Sequence, residues 1–364
     1  MKKLILSLLF SLTAYASNEF AFDLYSKLED GNIVFSPYGI FSNLALLKSG
    51  ASGETAEEIG TILHISGKED FHNLSSKLSI ANGLFPHKGV RILDQFQKNG
   101  VEVFEAKIQT LNYNNPTKAS ETINRWISER TKGKIPQLLQ EGDIDSNTRL
   151  VLANAVYFQG EWQSPFEPKA TKKRPFYADE NSVVDVEMLQ QIHQFPYFEN
   201  EEMQCLSLLF KESHLACVIL LPKGSLNNFD LGQILEQSKP TLINAYIPKF
   251  CLTKRLVLND YLKELGMSLP FSYDADFSQI DGQKDLFLTT VLHETYFSLN
   301  ETGVTAASAT TSHLGLKSVL YPSDKAISFI ADHPFLFFIL DTDSKTILFM
   351  GRMTNPLMGK CNEN

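Results

Sequence analysis

His293-Glu-Thr-Tyr-Phe-Ser-Leu-Asn-Glu-Thr-Gly-Val-Thr-Ala-Ala-Ser-Ala-Thr-Thr-Ser-His-Leu-Gly-Leu-Lys317-Ser318 is the stretch on which the reading of the whole chain turns. Val291 to Asn300 is rich in β-branched and aromatic residues, which fit a pleated, half-buried surface, so a strand is expected there. The strand ends at Glu301-Thr302-Gly303, where glycine frees the backbone to turn. From Val304 to Leu316 there is no Pro, Asp, Glu, Lys or Arg, yet the residues are too small to fill a core by themselves. On composition alone this is a solvated Ser/Thr/Ala connector. One feature is foreign to a plain tether. Val304, Ala306, Ser308, Thr310, Ser312 and Leu314 share a face at strand period and are uncharged, so that face could be buried without stranding a charge. The segment reads either as a linker or as a strand that has not joined a sheet.

The surroundings are globular: 364 residues, 43% hydrophobic and 21% charged. Residues 1–16 have a short basic start (Lys2, Lys3), an apolar run from Leu4 to Leu12, and Ala14-Tyr15-Ala16 as a small-x-small cleavage site. A Sec-type signal peptide cut after Ala16 is expected, and with it a secreted or periplasmic protein. Loss of two lysines takes the formal charge from −9 to −11, with 31 basic against 42 acidic residues. So acidic a chain is a poor partner for nucleic acid. Cys205, Cys217, Cys251 and Cys361 form no CxxC pair and have no metal-ligand spacing, so they read as free or incidental.

Helical spacing is expected over Asn18–Leu28 (Phe20, Leu24, Leu28), over Pro37–Ser49 (Ile40, Leu44, Leu47), from Gly53 onward, and over Thr117–Arg130 (Ile123, Trp126, Ile127). The last should lie on a sheet. Arg149–Trp162 is a nearly continuous apolar run that suits a central strand covered on both faces, so the polar Asn154 inside it must be hydrogen-bonded. Leu206–Phe210 with Leu215–Leu221, and Phe335–Leu340 with Ile347–Arg352, read as hairpins, the second apolar enough to be core. Helices crowd the first third and strands the remainder, with no repeat and no Gly/Ser/Pro linker between. A single α+β domain over 17–364 is expected.

The hinge pattern Glu-x-Gly-(small)-x-Ala-Ala-x-Ala-Thr, standing here as Glu301-Thr-Gly303-Val304-Thr-Ala306-Ala307-Ser308-Ala309-Thr310, resembles the serpin family. Three more blocks resemble it: Asn32-Ile-Val-Phe-Ser36-Pro37 with Ala51-Ser-Gly-Glu-Thr55; Asn154-Ala-Val-Tyr-Phe-Gln-Gly-Glu-Trp162; and Ala331-Asp-His-Pro334-Phe335 with Phe349-Met-Gly-Arg-Met-Thr-Asn-Pro356. The resemblance implies the serpin fold, with three β-sheets, about nine helices and an exposed reactive-centre loop, here about 301–322. It also implies an irreversible suicide inhibitor, not an enzyme, that traps the acyl-enzyme by inserting the cleaved loop into the central sheet. Counting seventeen residues from Glu301, the family's usual spacing, puts the scissile bond at Lys317-Ser318, with Leu316 or Leu314 as the next choices. A lysine there implies a trypsin-like serine protease, whose specificity pocket is acidic.

By the same resemblance Ser36, Asn154 and His293 hydrogen-bond beneath the point where the sheet opens, and Trp162 lies near where the loop goes in. Two positions depart from the pattern: Val304 replaces a Thr or Ser, and Gly39 replaces a serine. Ile65–Leu78 is short and carries only Lys68 and Lys77, so heparin activation is not expected. No cofactor, no metal and no membrane contact of the mature form are expected, and the protein should be a monomer. Asn300-Glu-Thr302 is a glycosylation sequon by pattern, but a sugar beside the hinge would hinder insertion, so Asn300 should be bare. An enzyme reading finds no GxSxG, HExxH, Walker loop, GxGxxG or SxxK. A non-inhibitory serpin-fold carrier or chaperone is the alternative. The hinges of such proteins commonly carry charged, bulky or Pro residues, unlike Val304–Leu314.

Overall fold

The computed structural model describes residues 2–65, 78–224, 229–304 and 325–359, with residues 2–13 as backbone alone. The chain opens with α1 (Lys2–Lys27), β1 (Ile33–Phe35), α2 (Pro37–Ser49) and α3 (Gly53–Ile62). It continues with β2 (Leu78–Pro86), α4 (Asp94–Phe104), β3 (Lys107–Ile108) and α5 (Pro116–Arg130). The strands β4 (Leu150–Phe158), β5 (Gly160–Glu161), β6 (Lys172–Asp179), β7 (Ser182–Glu199), β8 (Met203–Leu209) and β9 (Leu215–Pro222) follow. Then come α6 (Leu231–Gln237), β10 (Lys239–Pro248), β11 (Phe250–Val257), α7 (Asn259–Glu264) and α8 (Ser278–Asp281). The last elements are β12 (Thr290–Leu299), β13 (Gly303–Val304), β14 (Ile327–Ile330), β15 (Phe335–Asp341) and β16 (Ile347–Met353).

Local chemistry explains the best-defined ends. Ser36 Oγ accepts the Gly39 N–H at 3.1 Å and Pro37 follows in the first turn, so α2 starts on a capped, pre-set backbone. Asn115 caps α5 in the same way through the Lys118 N–H, again with a proline next. The helix α4 was not read from the sequence, although Phe96, Gly100 and Phe104 repeat every fourth residue on its buried face. Glycine interrupts that apolar stripe because a Cβ at Gly100 would meet Ile108 Cδ1 at 2.3 Å.

Two hydrogen-bonded sheets form among the described residues. One runs β3-β2-β4-β12, with β11 on the far side of β12 and β13 and β5 beyond the ends of β12 and β4. The other runs β1-β16-β15-β9-β8-β7-β10-β14, with β6 on β7. This second sheet divides at the long β7, which pairs with β10 and β6 along most of its length and with β8 only at Tyr197–Glu199. Counted by layer, the three sheets that the resemblance implied are present, and eight α-helices fall among the described residues.

The central strand β4 is buried at every position, as its apolar run requires. Val156 and Phe158 join Phe297, Phe337 and Phe349 in the core between the sheets. Val151, Ala153, Ala155 and Tyr157 meet Ile123, Trp126 and Ile127 of α5, together with Ile135, Leu138, Leu139 and Ile144 of the 131–149 connection. That second core roofs β4 and β12. One expectation is corrected: Cys251 is disulfide-bonded, not free, because the fold brings the C-terminal residues back onto β11, where Gly359 packs against the Cys251 carbonyl. Cys205 and Cys217 are free and buried, and Cys361 lies outside the described residues.

Candidate functional site

A fully buried polar cluster is built where β12 meets β4. His293 of β12 is fully buried, and its Nε2 accepts the Ser36 backbone N–H at 3.0 Å and the Thr295 hydroxyl at 2.7 Å. Since a backbone N–H can only donate, the ring proton must sit on Nδ1, which donates to Asn154 Oδ1 at 2.7 Å. Asn154 Nδ2 in turn donates to Asn82 Oδ1 at 2.7 Å, and Asn82 Nδ2 donates to Ser42 Oγ and to the Phe104 carbonyl. Ser36 Oγ reaches the Leu348 carbonyl at 2.7 Å. The chain of bonds thus crosses β12, β4 and β2 and ties all three to α2. Burial in this dry site holds the His293 imidazole far below its usual range, at about 3, so it is neutral at physiological pH. Gly39 fits the same packing: a Cβ there would lie 2.6 Å from Val156 Cγ2 and 2.8 Å from Asn154 Oδ1. The departure at this position is therefore accommodated by the network beside it.

Above the cluster the sheet has a seam. From Thr290 to Tyr296, β12 pairs directly with Val151–Tyr157 of β4, and the two strands run parallel. Beyond Tyr296 they part, and β13 sits in the gap, antiparallel to both flanks: Val304 opposite Leu299 of β12 and opposite Gly160 of β5. Asn300 Oδ1 accepts the N–H groups of Thr302 and Gly303 and the Thr302 hydroxyl, which makes the turn from β12 into β13. Glycine is required at 303, where a Cβ would stand 2.0 Å from the Gly160 carbonyl oxygen. Val304 is fully buried in the core between the sheets, so valine is at home where the family pattern has a hydroxyl residue.

The turn is held from outside as well. Trp162 donates from Nε1 to the Asn300 carbonyl at 2.9 Å and from its backbone N–H to the Thr302 carbonyl at 2.9 Å. Its ring stacks on Phe210 with centroids 4.7 Å apart. Glu301, 14% exposed, pairs with Lys249 at 3.3 Å and accepts the Thr171 hydroxyl at 3.1 Å.

Ser36, Asn154 and His293 are therefore brought together by hydrogen bonds, and Trp162 stands with Glu301, Gly303 and Val304 at the top of the seam. Ala306, Ala307, Ser308, Ala309, Thr310, Lys317 and Ser318 lie outside the described residues. The sequence reading missed Asn82, Ser42 and Thr295, and also Lys249 and Thr171. Asn82 had a signal, being a polar residue inside the apolar run Ile80–Phe85, as Asn154 is in its own. Lys249 and Thr171 had none, since only the fold carries them to Glu301.

A profile of the family described as Serpin (serine protease inhibitor) matches residues 15–356. The chain belongs to the serpin family. Leukocyte elastase inhibitor of Bos taurus is 35% identical over 375 residues, covering 94% of this serpin and 98% of that protein. An uncharacterized serpin-like protein of Thermococcus kodakarensis is 34% identical over 370 residues, covering 94% and 86%. Among solved structures, Serpin48, described as a highly specific serpin of the insect Tenebrio molitor, superposes with a TM-score of 0.82 at 29% identity, covering 95% of this serpin and 98% of that chain. Membership sets this serpin among protease inhibitors, not among enzymes.

Proposed function

We propose that this serpin is a single-use inhibitor of trypsin-like serine proteases, trapping the acyl-enzyme by driving its cleaved loop into the seam between β12 and β4. The observation that carries the reading is β13, two residues of loop already paired in line with that seam. Continued in the same register, each further residue of the loop steps one residue back along both flanks. Thr310 then falls level with Asn154 and His293, and Leu314 level with Leu150 at the end of β4. The uncharged face from Val304 to Leu314 is thus as long as the slot, and Lys317 is the first basic residue beyond it.

In chemical terms the protease serine attacks the Lys317 carbonyl, the Ser318 amine leaves, and the protease stays esterified to Lys317. Insertion of residues 305–314 carries it over a distance of about 35 Å. About a dozen new ladder hydrogen bonds, at a net ~0.5–1.5 kcal/mol each, supply on the order of 10 kcal/mol for that movement. A carrier or chaperone of the same fold would need no such uncharged face of matching length.

A second specificity is favoured by the relatives, several of which are named leukocyte elastase inhibitors; for such a target Leu316 or Leu314 would be the residue cleaved. Incubation with trypsin and, separately, with elastase decides between them. Trypsin is expected to give a complex that survives boiling in SDS and to release a C-terminal fragment beginning at Ser318. A complex with elastase alone, with a fragment beginning at Lys317 or Gly315, would move the specificity. Turnover by both without a complex would remove inhibition altogether. We further place the protein outside the cytoplasm, as a monomer without heparin activation. A disulfide at Cys251 fits an oxidising compartment, and the mature N-terminus is expected at Ser17.

A further inference from the structure

β12 carries ionisable side chains on consecutive buried residues, and successive residues of a strand face opposite ways. His293 looks into the network above. Glu294 looks to the other face, which it shares with Leu292 and Tyr296 under α5 and the 131–149 connection. It is 7% exposed, and its Oε2 is buried without a hydrogen-bond partner. Its place is on the seam itself, between Ala155 of β4 and Arg255 of β11.

Arg255 is the cation whose field reaches it, yet the guanidinium is engaged elsewhere. Its Nε donates to the Leu138 carbonyl at 2.6 Å and its Nη2 pairs with Asp143 Oδ2. Both acceptors belong to the connection, so Arg255 clamps that roof to β11. The other groups facing Glu294 leave it unmatched. α5 presents Ile123, Trp126 and Ile127, and β4 presents Ala155 and then Tyr157. Lys132 and Lys134 of the connection are turned onto the rings of Tyr157 and Tyr296. Burial raises the Glu294 carboxyl to about 7 against the pull of Arg255.

We propose that Glu294, held between the seam and the Arg255–Asp143 clamp, is a proton-operated latch on the opening of the sheet. A strand entering the seam moves β4 and β12 from about 4.8 Å to about 9.6 Å apart and must disturb this roof. Protonated, Glu294 is a neutral group under it. Ionised, it is a buried carboxylate whose Oε2 has no hydrogen-bond partner, which opening would relieve. Because its pKa is raised in the closed fold, the stability it contributes is complete below its ordinary pKa of 4.5 and is lost as pH rises through about 7. Mildly alkaline conditions therefore prime the sheet to open, and acidic ones hold it shut. The consequence for trapping rests on the function proposed above; the pH dependence of the closed fold does not.

The test is thermal melting of the intact chain between about pH 6 and about pH 8.5, beside Glu294→Gln, which keeps the shape and cannot ionise. The wild-type midpoint should fall by about 3 °C more than that of the variant over this range. Equal slopes would overturn the latch. Asp143→Asn frees Arg255 to pair with Glu294 and should move the inflection to lower pH. If Glu294→Gln does not fold, this variant decides alone, an unmoved inflection counting against the proposal. Trypsin trapping, read as the ratio of complexed to merely cleaved inhibitor, should rise with pH in the wild type and not in Glu294→Gln. Should no complex form at any pH while the melting difference persists, the latch stands and the trapping function falls.

Discussion

His293 shows how much one neutral ring can organise. It accepts twice at Nε2 and donates once at Nδ1, so each neighbour's geometry depends on the ring staying uncharged. With its pKa depressed to about 3, its contribution is complete above the ordinary value of 6.5 and is lost as pH falls toward 3. An acid limb should therefore appear in the pH–stability curve, and His293→Gln should flatten it; a limb of equal slope in the variant would assign it to other groups. Asn154→Ala leaves the Nδ1–H of His293 and Oδ1 of Asn82 without partners and should cost about 2–4 kcal/mol in denaturant melts. At the hinge, Gly303→Ala places a methyl group against the Gly160 carbonyl. The expected result is loss of the β13 pairing, read as a change in Trp162 fluorescence, because Trp162 is bonded to the same turn.

At the scale of the element, β12 and β4 matter because they are parallel neighbours, so that a loop strand driven between them, as proposed, would run antiparallel to both. β13 already pairs with Leu299 of β12 and with β5 in line with that path, with Val304 buried. Val304→Arg would bury an unpaired charge at the head of that slot, at a cost of several kcal/mol, on the order of 3–5. The variant should still be cleaved by trypsin but should give turnover in place of a stable complex. Undiminished complex formation would show that Val304 does not enter with the loop. Asn300, whose Oδ1 accepts three hydrogen bonds in the turn, is expected to carry no glycan, a point that mass spectrometry of the protein purified from a glycosylating host checks.

The molecule as a whole is expected to be held above its lowest free energy until the loop joins the sheet. Cleavage in the loop should therefore raise the melting midpoint by on the order of 10 °C or more. A midpoint unmoved by nicking would mean that no strand is gained. His293 and Glu294 act on this balance from opposite faces of one strand and with opposite pH dependence, so the closed sheet should be most stable at mildly acidic pH.

Much of this was legible in the sequence. The bounds of α2, the burial of β4 and the hydrogen-bonded state of Asn154 followed from apolar periodicity and the cost of an unpaired amide in an apolar run. These are local effects, set by neighbours within a few residues. The uncharged face from Val304 to Leu314 and the family pattern around Gly303 likewise marked that stretch for the hinge role proposed above. Only the tertiary structure could decide what lies across space. It brought Lys249 and Thr171 to Glu301, joined Asn82 to Asn154, put Cys251 in a disulfide, and left Glu294 under a roof whose arginine is already committed. Such contacts depend on which strands become neighbours, and strand neighbours are chosen by the packing of the entire chain.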